Sequence, residues 1–351
     1  IHELDGWRGI SVLLVLFNHC FLFEFPSALA HTRLINHLPQ HAGELGVRTF
    51  FVISGFVITR LLILEERQTS AISLKNFYTR RFFRIVPVFY LMLFTVAVLI
   101  AFHIIFGTLA SVLGASLFLA DTNLMTHHWF TGHAWTLSVE EQFYLLFPLF
   151  FILSGARRRS RLLLLTLIAL LAWSVLTQLG LFTQLFPPGA IIGFSCINLG
   201  ALVALFEPEA RRYAAGLHPL FAFLLAVFLF VHPIPPIPVA LVLNALVTPF
   251  CIAIVLMYTV THKDWASSIL NNAAIQWIGL VSYSAYLWQQ LSTGPIDFYC
   301  NRTAMRILHS PLFAILVITV SYYCVERPCT RFAKRRTTGS KDLKAVGTAV
   351  R

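Results

Sequence analysis

Ile85-Val-Pro-Val-Phe-Tyr-Leu-Met-Leu-Phe-Thr-Val-Ala-Val-Leu-Ile-Ala-Phe-His-Ile-Ile-Phe106 runs for 22 residues without one Asp, Glu, Lys or Arg. At about 1.5 Å per helical residue, that length crosses the roughly 30 Å hydrocarbon layer of a bilayer. Stretches that qualify or nearly qualify recur at roughly 10 to 25, 46 to 64, 138 to 155, 162 to 180, 190 to 206, 217 to 232, 238 to 260, 275 to 294 and 309 to 325. In lipid each backbone N–H and C=O must be satisfied within the protein, and apolar runs of this length do so as helices. The expected fold is therefore all-α, a polytopic membrane helix bundle of about ten transmembrane helices.

The composition excludes the other broad classes. Of 351 residues, 58% are hydrophobic and 12% charged, with mean hydropathy +0.76, whereas a soluble domain has about a quarter of its residues charged. Disorder is excluded by 32 Phe. Six Cys spread over the chain make no disulfide framework, and Cys20, Cys196, Cys251 and Cys324 in or beside apolar runs read as packing residues. The net charge of +11 raises the question of a polyanionic partner. Its distribution answers it: 22 of 26 basic residues fall on the side of the two termini, and only Arg33, Arg48, Arg302 and Arg306 on the other. That bias places both termini in the cytoplasm and calls for no nucleic acid.

The stretch from about 108 to 137 is too short in apolar residues to span, and reads as a re-entrant or outer-surface segment between the third and fourth helices. The region from Arg327 to Arg351 reads as a basic, solvated cytoplasmic tail behind a single transmembrane domain, 1–326.

Ionisable groups inside a span are costly and mark function by default. His19 follows Arg8 by eleven residues, which sets it about 16 Å deeper on nearly the same helix face. A buried neutral imidazole bonded to a carbonyl is the plain alternative. Trp135-Thr-Leu-Ser138-Val-Glu140-Glu141-Gln-Phe-Tyr144 sets two carboxylates at the outer start of the fourth span. They fit a helix N-terminus with Ser138 as a possible cap, and because successive residues point about 100° apart, only one faces the interior. Arg80, Arg81 and Arg84 precede the third span. Guanidinium forks on one face suit phosphate, although such runs also serve as topology signals. Ser282-Tyr283-Ser284-Ala-Tyr286-Leu-Trp288-Gln289 reads as helix packing whose hydroxyls are able to line a polar path. His31, His37, His41, His127, His128 and His133 lack Cys or acidic partners at ligand spacing, so no metal is expected. No phosphate-binding loop or nucleophile elbow occurs.

In order along the chain, these residues resemble the acyltransferase 3 family of bacterial multispanning membrane O-acyltransferases. The match runs through Leu4-Asp5-Gly6-Trp7-Arg8-Gly9 with His19, Gly46-Val47-Arg48-Thr-Phe50-Phe51-Val-Ile-Ser54-Gly55-Phe56, the arginine run, the Trp135 to Tyr144 segment, Ser282 to Trp288, and Glu326-Arg327-Pro328. The resemblance implies transfer of an acyl group, usually acetyl from cytoplasmic acetyl-CoA, to a hydroxyl of a glycan or glycolipid acceptor such as lipopolysaccharide or peptidoglycan. It also implies a place in the bacterial inner (cytoplasmic) membrane, among membrane lipid. His19 then becomes general base or acyl carrier. Arg8, Arg80, Arg81 and Arg84 hold the CoA phosphates. Glu140 orients or stabilises the imidazole, or holds the acceptor, and Trp135, Ser138, Glu141, Tyr283 and Tyr286 contribute to the acceptor site. Arg48 and Gln289 depart from the pattern, where many relatives carry Asp and His, and both stand near the outer half. No hydrolase-type domain follows the last helix, so the chain is expected to complete the transfer or pass the acyl group to a separate protein. The alternative from another class is a proton-coupled transporter or flippase with His19 and Glu140 as relay.

Overall fold

The computed structural model describes residues 1–24, 33–124, 128–178, 185–231 and 243–337. They are helical throughout their main elements, and the one extended pairing among them is an isolated antiparallel bridge between Ile105 and Tyr299. Helix α1 (His2–Glu24), α2 (Arg33–Thr69) and α3 (Leu74–Ala101) come first. Ser73 caps α3 by accepting the Asn76 N–H, the role its type favours. Two short helices follow, α4 (Leu109–Ser116) and α5 (Trp129–Gly132), neither long enough to cross a bilayer. Then come α6 (Ala134–Gln178), α7 (Pro188–Leu205), α8 (Glu207–Ala215) and α9 (Pro219–Val231). A π-helical turn, Leu243–Val247, leads into α10 (Thr248–Thr261), followed by α11 (Trp265–Leu270), α12 (Ala273–Ser292), α13 (Arg302–Leu308) and α14 (Pro311–Val320). A second π-helical turn, Ser321–Glu326, joins α14 to α15 (Arg327–Thr337).

Five helical stretches among the described residues are long and apolar enough to cross a membrane, and a sixth is counted if α8 and the start of α9, bent by 110°, act as one. The expected count of about ten is not reached by that criterion. Helices α1 and α12 have the length, at 23 and 20 residues, but polar groups such as Arg8, Gln276, Gln289 and Gln290 dilute their hydropathy. The expected separate spans 138 to 155 and 162 to 180 fall on two helices that meet at Gly155, whose φ of 63° lies in the left-handed region; 179 and 180 lie outside the described residues. The basic run beside it is not all solvated: Arg159 is buried, forks onto Glu66 at 2.6 and 2.8 Å, and donates to the Phe151 carbonyl at 2.9 Å. Likewise the chain from Arg327 to Thr337 is helix packed on α3, with Phe332 edge-on to Phe83 at 5.0 Å.

Two seams fix the bundle. A Cβ on Gly279 would meet the Asp5 carbonyl oxygen at 1.9 Å, and one on Gly200 would meet that of Val52 at 2.1 Å. Backbones this close need small residues, as at helix crossings in lipid. The first seam locks α1 to α12 and the second locks α2 to α7. One apolar cluster gathers Phe89, Phe147, Phe151 and Leu287; a second gathers Phe51, Phe56, Ile197 and Leu256. Outside them, Phe94, Leu146, Leu153 and Leu312 stand open on the surface, favourable against hydrocarbon and costly against water.

Candidate active site

Between the two clusters lies a cavity of about 90 Å³. Its charged lining is Arg8 from α1, Arg81 and Arg84 from α3, and Glu140 from α6; Ser54, Thr136, Tyr144, Tyr283 and Tyr286 add hydroxyls. The volume suits a few waters or a slender chain. The Arg8 guanidinium is braced by Asp5 at 3.0 Å, and that of Arg81 lies 4.6 Å over the Tyr144 ring. Ser54 donates a 2.5 Å hydrogen bond to Glu140. Three guanidinium groups against one lining carboxylate leave the cavity cationic, and burial strengthens its attraction for an anion or a developing negative charge.

His19 stands apart from this cavity, further along α1. Its Nδ1 lies 2.9 Å from Gln289 Oε1 on α12, and the Trp129 ring meets it edge-on at 5.4 Å. The α1–α12 seam places the two partners, which are separated by 270 residues of sequence. Where the amide oxygen accepts from Nδ1–H, a neutral imidazole has its lone pair on Nε2, the form that accepts a proton. The residue next along α12 repeats the pattern: Gln290 Oε1 accepts from both the backbone N–H and the Nδ1 of His133, which is buried.

The sequence-predicted residues therefore divide. Arg8, Arg81, Arg84, Glu140, Tyr283 and Tyr286 line one cavity. Arg80 turns away and pairs with Glu65 at 3.1 Å. Glu140 has Ser54 as its partner, and the group that orients His19 is Gln289. Glu141 is directed elsewhere, as the 100° step between neighbours requires, and one of its oxygens is buried without a partner. Trp135 packs edge-on against Phe51, and Ser138 donates to the Ala134 carbonyl in its own helix rather than capping it. Tyr283 donates to the Ile85 carbonyl, and Tyr286 to that of His133. Ser54, His133 and Gln290 were not singled out for this chemistry by sequence. The available signal was the polar doublet Gln289-Gln290 near the end of α12. Among the described residues no three His, Cys, Asp or Glu side chains gather as a metal site; His31 and His127, and the side chain of His37, lie outside the described residues.

Comparison with known proteins gives this arrangement a family. The acyltransferase 3 profile, described as an acyltransferase domain, matches residues 1–326. A Bacillus subtilis protein provisionally named as the peptidoglycan O-acetyltransferase YrhL is 26% identical over 377 aligned positions, covering 93% of this chain and 54% of the relative. The peptidoglycan O-acetyltransferase OatA of Listeria monocytogenes is 24% identical over 368, covering 93% and 55%. A provisionally named O-acetyltransferase of Staphylococcus aureus is 27% identical over 331, covering 82% and 50%. The chain thus spans about half the length of the curated relatives it matches. No solved structure matches it significantly. Helices fit for the bilayer and a profile match over almost the whole chain lead to one assignment: the chain belongs to the acyltransferase 3 family of membrane acyltransferases.

Proposed function

We propose that the protein transfers an acetyl group from cytoplasmic acetyl-CoA to a hydroxyl of a cell-envelope glycan, with His19 as general base. The single observation behind this reading is that one helix carries both a cavity-lining arginine and a histidine held by Gln289. Arg8 joins Arg81 and Arg84 in a cationic cavity, and eleven residues on, about 16 Å away, His19 is oriented through Nδ1 by Gln289. A thioester is already activated, so catalysis needs a base for the attacking hydroxyl and stabilisation for the tetrahedral oxyanion. The three arginines suit the phosphates and the anionic end of such a donor. In this reading the donor's phosphates meet the arginines and its slender acyl-bearing arm extends further into the bundle. Glu140, bonded to Ser54, limits the positive charge of the cavity. The reading takes the bundle to cross the bacterial cytoplasmic membrane about ten times with both termini inside, the orientation that the bias of the basic residues favours. The names of the relatives favour a peptidoglycan sugar as acceptor.

The test is transfer of radiolabelled acetyl by the purified protein in liposomes to soluble peptidoglycan fragments, wild type against His19→Ala. Label in the glycan with wild type and none with the variant supports the reading. Full transfer without His19 removes it as base, and no transfer by wild type to any hydroxyl acceptor removes the enzyme.

A further inference from the structure

A second and larger cavity, of about 550 Å³, opens on another face of α6. The first half of that helix turns Glu140 and Tyr144 to the arginine cavity, and Phe143 and Phe147 to this one. The second half adds Leu163 and Leu170, and α7 adds Phe194. The result is a groove that follows α6 from Leu163 to Trp173, about 15 Å at the rise of a helix. Its polar members are tied inward. Gln142 donates to the Phe118 carbonyl and to Asp121, each at 2.9 Å; Asn198 donates to Thr166 at 2.6 Å, and Thr166 in turn to the Leu163 carbonyl. Asn198 Oδ1 has no partner but is itself buried. What the groove offers an occupant is therefore hydrocarbon surface. It is open along one side: Leu146 of the lining, and Leu164, Leu165 and Ile168 beside it, stand exposed on the outside of the bundle. In a chain whose helices are fit for the bilayer, that outside is the lipid interface, and the groove continues it inward. At one end the chain turns basic. Arg157, Arg158 and Arg161 stand exposed, the last of them two residues before Leu163, whereas Arg159 among them turns inward to Glu66.

We propose that this groove holds one hydrocarbon chain of an anionic phospholipid, whose headgroup phosphate lies against Arg157, Arg158 and Arg161. An apolar lining disfavours a polar guest, and continuity with the lipid face supplies a chain from the side. Charge selects the headgroup, because exposed guanidinium groups hold a phosphate by charge-assisted hydrogen bonds and basic residues beside a span attract anionic lipid. A chain so placed packs between the two halves of α6 and α7, on the helix that carries Glu140. The inference is independent of acyl transfer and rests on the bundle standing in a bilayer.

The probe is phosphatidylglycerol with a photoreactive diazirine at the end of one chain, added to the protein in phosphatidylcholine nanodiscs, with the labelled peptides identified by mass spectrometry. Label is expected on the peptides that carry Leu163 to Trp173 and Phe194. A phosphatidylcholine probe with the same chain labels them roughly fivefold less or weaker still, the worth of one or more basic residues at the membrane surface. Ala169→Trp, which fills the groove from its lining, lowers labelling by phosphatidylglycerol roughly fivefold or more. Replacing Arg157, Arg158 and Arg161 together by Gln lowers it to the level of phosphatidylcholine. Those arginines are exposed, so this variant carries the test even where Ala169→Trp lowers the melting temperature. Label spread evenly over the exposed helix faces, equal labelling by the two probes, or labelling indifferent to the arginine variant overturns the inference. Cross-linking of a second copy of the chain across the groove overturns it as well. None of these results touches the acyltransferase reading, which stands or falls with acetyl transfer.

Discussion

Gln289 Oε1 meets His19 Nδ1 at 2.9 Å across the α1–α12 seam, so a neutral amide orients the imidazole of the first helix. An orienting partner is what a nucleophile–base pair needs behind it. An amide does this without adding charge to a span where charge is expensive. Replacing Gln289 by Leu leaves the imidazole free to rotate and to exchange tautomers. The expected result is a fall in kcat of about 10- to 100-fold, from the loss of one buried hydrogen bond, with the KM for acetyl-CoA within a few-fold of wild type.

The Ser54–Glu140 bond is short and partly buried, so the two side chains act as a unit. Ser54→Ala and Glu140→Gln each lower kcat/KM. The double variant loses less than the two separately, with a coupling of about 1–3 kcal/mol. Steady-state kinetics on the four proteins measures it, and strict additivity would show that the contact carries no function.

Arg159 and Glu66 clamp the break at Gly155. Glu66 is partly exposed, with 37% of its side chain open, so the pair contributes less than a fully buried one. Arg159→Ala is expected to destabilise by about 1–3 kcal/mol, read as a lower melting temperature in lipid nanodiscs. A double replacement, Arg159→Met with Glu66→Leu, recovers most of that loss, because no unpaired carboxylate remains.

Gly279→Ala forces a Cβ against the Asp5 carbonyl at 1.9 Å, whereas Gly132→Ala meets nothing within 4 Å. Overpacking of a tight crossing costs about 1–3 kcal/mol or more. Thermal melting should drop sharply for the first variant and stay near wild type for the second. Activity should fall with the first, because the same seam positions His19 against Gln289.

Asp121, in the segment between α4 and α5, has one carboxylate oxygen bonded by Gln142 and the other buried without a partner. Burial pushes its carboxyl up to about 6 from the ordinary 3.8. The folded protein therefore binds this proton more tightly than the unfolded chain. The stability gained is full below about pH 4 and is lost as pH rises through about 6. Melting temperature should carry a decline between those values, and Asp121→Asn should flatten it.

Much of this was legible in the sequence because it depends on local period alone. The apolar runs report helices, the eleven-residue interval puts Arg8 and His19 on one face, and the 100° step separates Glu140 from Glu141. The remainder depends on partners far away in the chain. Nothing in the run of arginines distinguishes Arg80, paired with Glu65, from Arg81, which lines the cavity. Nothing near Arg159 shows that Glu66 waits 93 residues away. Ser54 reads as a small helix residue until Glu140 is placed beside it, 86 residues on. His133 was weighed as a metal ligand because three histidines cluster there in sequence, whereas its Nδ1 is held by an amide of α12.

The central claim is that α1 carries donor binding at one end and proton abstraction at the other. Its most direct test is to measure kcat, the KM for acetyl-CoA and the acetyl-CoA dissociation constant for Arg81→Gln and His19→Asn, in parallel with wild type. The account predicts that Arg81→Gln raises KM and the dissociation constant by about tenfold or more, the value of a charge-assisted contact, with a small change in kcat. It predicts that His19→Asn abolishes turnover while binding acetyl-CoA as wild type does. Turnover that persists without His19, or acetyl-CoA binding indifferent to Arg81, would contradict it.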